Sequence, residues 1–347
     1  MVTSRYETEA SLRTAIFGDI LLCRDWVTKT RVVVKTVDLQ LALKQTSRSQ
    51  EPVQENVLHE VEVLTRVRSL GGHPNVINLL NYHVDKGSGI LHMVLDYCEG
   101  GDLLDVCVQP PATKDNDGAM YYRNRDSRQE NQEEDATTLK GVKRFLKQIP
   151  QPDQSGRNAR LLNGTNGFKR LNENVVRAYL VDVLSGLRFL HAHGIAHRDI
   201  SLENILLRKG RAIITDFGLC VQQLPVTSNP ALGTSFYCVE AVGKNYYMAP
   251  EVLAHKPYDP RRADIWSTAI SFFILLTLSP PFERADVSDS GFRYVKKHGI
   301  KAVLSAWGLQ YKVSEAMQDL LSRMLRVDPM ERISMEDIWQ HPVLRGK

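Results

Sequence analysis

Three short stretches of this chain carry residue types able to do chemistry. HRDISLEN places His197, Arg198 and Asp199 shortly before Asn204, and TDFGL sets Asp216 beside Phe217 and Gly218. Far upstream, VVVK puts Lys35 behind three valines, which argues against a solvated strand-edge lysine. Glu60 stands further on in HEVEVL. Phosphoryl transfer asks a protein for a set of this kind: a cation for the phosphates, oxygen ligands for a divalent metal, and a carboxylate near the accepting hydroxyl. Each string arises by chance in other chains, and a lone loop aspartate is usually solvated or a cap. Their order and their helix-sized gaps are what carry weight.

Such residues need elements to hold them. Leu12 to Leu39 reads as β-rich with a turn at Asp25 to Thr30, RVVVKTVDL being its β-branched run. VQENVLHEVEVLTRVRSL sets Val53, Val57, Val61, Leu64 and Val67 on one face of a helix that Gly71, Gly72 and Pro74 end. Glu62 lies about 200° around that helix from Glu60, so the two acids face different ways. A strand pair ending in LHMVLDYC completes a first lobe over 1–95, and the remainder, 96–347, forms a hinge and a second lobe. Within the latter, Asn172 is a plausible N-cap for a helix carrying Val176, Tyr179, Leu180, Val183, Leu187 and Leu190. The apolar run from Ala269 to Leu278 is too short to span a bilayer and reads as a buried core helix.

Between the lobes' patterned parts the texture changes. From about 107 to 169 the chain is polar (PPATKDNDG, RNRDSRQENQEED, QPDQSGRN), a composition that builds no core and predicts a largely disordered insertion. Inside it, residues 138–150 set Leu139, Val142, Phe145, Leu146 and Ile149 against Lys140, Lys143, Arg144 and Lys147. That segment is either a short helix on its own domain or a docking element for an acidic partner or membrane surface.

Composition narrows the classes. With 347 residues, 43% hydrophobic and 24% charged, the chain can hold two lobes, each with an apolar core. A net charge of +4 gives no argument for a nucleic-acid partner. Five dispersed cysteines without a CxxC pair predict reduced thiols, hence a cytoplasmic or nuclear setting. MVTSRYETEA lacks the apolar run of a secretory leader.

Taken together, HRDISLEN, TDFGL, MAPE (Ala249-Pro250-Glu251), ADIWS (Asp264, Trp266) and Arg332 in DPMERIS resemble, in order, the motifs of the eukaryotic protein kinase superfamily. The resemblance covers nearly the whole chain and implies an α+β, bilobal protein kinase fold, with a small β-rich N-lobe bearing one main helix and a larger helical C-lobe. It implies ATP and Mg²⁺ as cofactors and Ser/Thr hydroxyls of proteins as acceptors, since ISLEN differs from the AARN or RAAN of tyrosine kinases. By it, Asp199 takes the catalytic-base position, and Asn204 and Asp216 hold Mg²⁺. Lys35 contacts the α/β-phosphates with Glu60 as its partner. Leu12, Gly18, Ile20, Val33 and Leu206 line the nucleotide site, Leu95 is the gatekeeper, and Asp96, Tyr97 and Cys98 form the hinge. Asp102 falls near the ribose. Asp102 and Glu203 also occupy positions that favour basic residues near the phosphoacceptor, and Arg332 matches the arginine that pairs with the APE glutamate.

Four departures qualify the resemblance. LRTAIFGDI has Arg13 and Ala15 where two glycines are usual and keeps only Gly18, which should stiffen the loop and hinder backbone approach to phosphate. Val33 replaces the usual alanine above adenine. Ser201 stands where Ser/Thr kinases carry lysine, and Lys244 stands where they carry threonine, so the two are exchanged in kind. Glu240 occupies the place of the common activating phosphosite, opposite Arg198, with Thr227, Ser228, Thr234 and Ser235 as alternative switches. An active kinase is the leading reading. A nucleotide-binding pseudokinase or scaffold is the alternative, motivated by the glycine-poor loop and Ser201.

Overall fold

Val32 and Val34 are buried while Val33 and Lys35 beside them are half-buried, the period of two that a strand imposes. In a computed structural model describing residues 5–108, 170–223 and 236–345, the chain divides into two compact units. Among the described residues the first holds 5–101 and 206–219, and the second holds 102–108, 170–205, 220–223 and 236–345. The 138–150 segment, nearly all of the polar 107–169 stretch, and Thr227, Ser228, Thr234 and Ser235 lie outside the described residues.

The first unit is built on five antiparallel strands: β1 (Tyr6–Thr14), β2 (Asp19–Asp25), β3 (Arg31–Asp38), β4 (Leu79–Asp85) and β5 (Ile90–Asp96). Their order is β1-β2-β3-β5-β4. Directly opposed residues share a face, so the register Ile20↔Lys35↔Met93 and Leu22↔Val33↔Leu95 puts these six side chains on one side. The other side carries a core cluster of Tyr6, Cys23, Val32, Val34 and Val94. Two helices follow β3. α1 (Leu39–Lys44) is capped by Asp38, whose carboxylate accepts from Gln40 N and Leu41 N. α2 (Val57–Ser69) starts four residues later than Val53, because the Asn56 side chain caps it by accepting from His59 N. Val57, Val61, Val63, Leu64 and Val67 of α2 are buried.

The second unit is mainly helical. α3 (Leu103–Val108) and α4 (Glu173–Ala192) come first, and Asn172 caps α4 as expected, accepting from Asn174 N. β6 (Ile195–Ala196) leads into the HRD loop and a 3-10 turn over Leu202–Asn204. The hairpin of β7 (Ile205–Arg208) and β8 (Arg211–Ile214) carries the chain into the first unit, and β9 (Val221–Gln222) pairs with β6. α5 (Pro250–Leu253) and α6 (Pro260–Thr277) follow, then α7 (Ser290–His298), α8 (Ile300–Ala306), α9 (Glu315–Met324), α10 (Met335–Gln340) and α11 (Pro342–Arg345). α6 is buried on nearly every side, which accounts for its apolar run, and no described helix is long and apolar enough to cross a membrane. Arg332, buried against Trp266, forks onto Glu251 with N–O distances of 2.6 and 2.9 Å. The resemblance anticipated that pair.

Candidate active site

In the first unit the site is organised around Lys35. Its position on β3 turns Nζ toward Glu60 of α2, 2.7 Å away, with the Glu60 side chain almost wholly buried. Glu62 is instead 71% exposed and faces His59, so the choice between the two acids falls as helix geometry predicts. Burial works against the charge on Lys35, but Glu60, Asp216 and Glu55 overcome it and hold the ammonium above its ordinary pKa. Glu55 was not picked out from sequence; only the folded α2 entry brings it into range. The same entry is tied to the DFG segment, since Asn56 N donates to Gly218 O at 2.8 Å. Asp216 adopts a left-handed backbone, φ +67°, a conformation rare for a non-glycine residue and often met at functional sites.

The turn between β1 and β2 has a firm structure. Ala15 N donates to Gly18 O and Gly18 N to Ala15 O, which closes the turn on itself. Phe17 is buried, and its carbonyl accepts from Asp38 N. A Cβ at Gly18 would sit 1.9 Å from Thr36 O, so this glycine is required by packing. Arg13 and Ala15, at the other two positions, meet no such demand. Of the remaining expected nucleotide contacts, Leu12, Ile20, Val33 and Leu206 are half-buried, and Leu95 is buried on β5. Asp96 is ion-paired with Arg208. Cys98 is buried, which pushes its thiol up to about 12.

In the second unit the site is organised around Asp199. Asn204 Nδ2 donates to Asp199 Oδ2 at 2.7 Å and to Asp199 O at 2.9 Å. Lys244 Nζ donates to the same Oδ2 at 3.1 Å and to Ser201 Oγ at 2.9 Å, while Lys244 N lies 3.3 Å from Oδ1. Gly243 makes this approach feasible: its φ is +98°, and a Cβ there would lie 2.8 Å from Arg198 O. Below the loop, Asp264 of α6 is fully buried. Its Oδ2 accepts from His197 N (2.9 Å) and takes His191 Nε2 at 2.8 Å, and its Oδ1 accepts from Arg198 N (2.8 Å). Sequence reading placed Asp264 at a helix start but missed this anchoring role, as it missed His191. Arg198 has φ +66°; its Nη1 reaches Glu240 at 3.5 Å, and its buried Nε has no partner among the described residues. Asp102 accepts from Asp105 N at the start of α3, and Glu203 is buried with Tyr247 Oη at 3.5 Å.

The protein kinase domain family model matches residues 151–344 of this chain. CBL-interacting serine/threonine-protein kinase 12 of Arabidopsis thaliana is 25% identical over 98% of the chain and 53% of its own length. Serine/threonine-protein kinase STE20 of Candida glabrata is 27% identical over 98% of the chain and 28% of its own length. Mitosis inducer protein kinase cdr1 of Schizosaccharomyces pombe is 35% identical over 51% of the chain and 27% of its own length. The chain thus spans about half the length of these relatives, or less.

Proposed function

The chain belongs to the protein kinase domain family, and on that premise we propose that it transfers the γ-phosphoryl group of ATP to serine or threonine hydroxyls of proteins. The observation that carries this is the fixed Asp199 carboxylate, held on one oxygen by Asn204 and Lys244 and on its backbone by the loop that Asp264 anchors. A base fixed in this way aligns an incoming hydroxyl and accepts its proton.

The residues present suit the nucleotide and the metal in most respects. Lys35, kept charged by its acidic neighbours, offers a preorganised cation to phosphate oxygens. In the second unit the Asn204 amide nitrogen is committed to Asp199, so its oxygen is what that side chain offers a cation; in the first unit Asp216 offers a carboxylate. Those are the hard oxygen donors that Mg²⁺ prefers. When bound, Mg²⁺ neutralises charge on the phosphate oxygens. Ile20, Val33 and Leu206 leave apolar surface open for a purine. The β1–β2 turn suits a phosphate less well, because the N–H groups of Ala15 and Gly18 are spent within it. That observation favours the second reading, a nucleotide-binding pseudokinase. The preference for basic residues near the phosphoacceptor rests on Asp102 rather than Glu203, because a half-exposed carboxylate takes a cation more cheaply than a closed-over one. Buried cysteines outside any disulfide suit a reducing cytoplasmic or nuclear setting.

Turnover with Mg-ATP and basic Ser/Thr peptides tests the proposal. Asp199→Asn should lower kcat by about 10²–10⁴-fold, and Asp216→Ala should abolish Mg²⁺-dependent turnover. Wild-type rates from both variants would end the enzyme reading. Tight nucleotide binding without transfer by the wild-type chain would establish the pseudokinase instead.

A further inference from the structure

The exchange of residue types at Ser201 and Lys244 has a geometric consequence. Ser201 is fully buried, and its hydroxyl faces the Lys244 ammonium. Lys244 approaches from the neighbouring loop, brought in by Gly243, and its ammonium lies 3.1 Å from Asp199 Oδ2 and 2.9 Å from Ser201 Oγ. The Lys244 side chain is 26% exposed and that of Asp199 10%, so the pair sits in a partly desolvated place where charges count for more than on an open surface. An unaccompanied carboxylate at Asp199 would repel the polyanionic group that has to come beside it. A flexible lysine stem delivers a point charge that removes this repulsion.

We propose that Lys244 is the cation of the transfer step, supplying from the loop after Gly243 the positive charge that the Ser201 position lacks; this rests on the kinase reading above. In that step the acceptor oxygen forms its bond to the γ-phosphorus while the bond from phosphorus to the β–γ bridging oxygen breaks. The bonding pair leaves with ADP, and the hydroxyl proton passes to Asp199. Charge on the transferring group is met by Lys244, and Ser201 fixes the ammonium through its hydroxyl. The competing account makes Lys244 a structural tie between two loops, with no part in turnover.

Kinetics and binding on the full chain separate these. Lys244→Met should lower kcat by on the order of 10²-fold, while the Kd of a non-hydrolysable ATP analogue stays within about threefold of wild type. The double swap Ser201→Lys with Lys244→Thr should regain at least about tenfold of that loss, whereas Ser201→Ala with Lys244→Met should regain none. If Lys244→Met melts well below wild type, the double swap compared with Ser201→Ala/Lys244→Thr carries the test, and equal kcat in that pair overturns the proposal. Unchanged kcat in a folded Lys244→Met protein also overturns it, leaving the kinase reading intact. A wild-type chain that binds the analogue yet never transfers phosphate sinks the kinase reading, and this proposal with it.

Discussion

Asp264→Asn is the smallest change that tests how the catalytic loop is held. The aspartate has no exposure, and its two oxygens serve three donors: His197 N, Arg198 N and His191 Nε2. An asparagine keeps one oxygen. If it keeps the one facing His197 and His191, its NH₂ group meets the Arg198 N–H, donor against donor. One bond unmade in a buried place costs about 1–3 kcal/mol, and loss of charge assistance on the other two adds about 0.5–1 kcal/mol each. The sum is about 3 kcal/mol, which at about 2–4 °C per kcal/mol lowers Tm by roughly 6–12 °C. A second effect acts on activity. Arg198 holds φ +66°, a conformation that costs a non-glycine residue about 1–2 kcal/mol, and the lost bond to Asp264 is what fixes it. Released, the backbone relaxes and turns Asp199 away, and a misplacement of about 1 Å costs on the order of 10²-fold in rate. Thermal melting by circular dichroism and steady-state phosphorylation measure the two effects. Arg198→Gly should recover part of kcat in the Asn background, because glycine adopts positive φ freely. A variant that melts within about 2 °C of wild type with unchanged kcat would refute both steps.

Two other outcomes follow from the site. Glu240 sits 3.5 Å from the buried Arg198, and donation from backbone N–H groups, helped by Arg198, keeps its carboxyl below the usual range. Phosphatase-treated protein should therefore retain most of its activity, and a loss beyond about tenfold would assign the switch to phosphorylation instead. All five cysteines are buried thiols outside any disulfide, with burial pushing Cys98 and Cys107 up to about 12. Raised folded values mean that neutral thiols favour folding; that contribution is whole below the unfolded pKa of about 8.5 and fades as pH climbs toward 12. Native protein at pH 8 should thus resist maleimide, which labels all five after denaturation, and fast native labelling of Cys98 or Cys107 would contradict the burial.

What could be read in advance, and what could not, divides along physical lines. Lys35, Glu60, Asp199, Asn204 and Asp216 stood out through the motifs that resemble the kinase family, and the fold brings Lys35 to Glu60 and Asn204 to Asp199, with helix geometry setting Glu60 apart from Glu62. The start of β1 at Tyr6 was not, because most of that strand is exposed and shows no hydrophobic alternation. Its edge is held by pairing with β2 and by Glu9, which bridges Arg24 and Arg31. α1 escaped notice since its six residues bury nothing. Val53 was drawn into α2 by its periodicity, although the Asn56 cap decides the boundary. The anchoring by Asp264 joins residues some 66 positions apart, which no local pattern encodes.

Gly18 and Gly243 share a physical reason for being glycine. A Cβ at Gly18 would collide with the Thr36 carbonyl, and one at Gly243 would collide with that of Arg198. Both are demanded by backbone packed against backbone. The glycines absent from the β1–β2 turn have no such neighbour: Arg13 stands exposed on β1, and Ala15 closes the turn with its own N–H. The N–H groups of Ala15 and Gly18, spent on each other's carbonyls, are backbone donors that a phosphate would use. Around Asp199 the opposite holds, since the carboxylate oxygen that keeps Asn204 also gains a cation from Lys244. On the proposed kinase reading, the departures in the first unit should weigh on nucleotide affinity and those in the second on turnover, so reversing them should move KM for ATP and kcat separately.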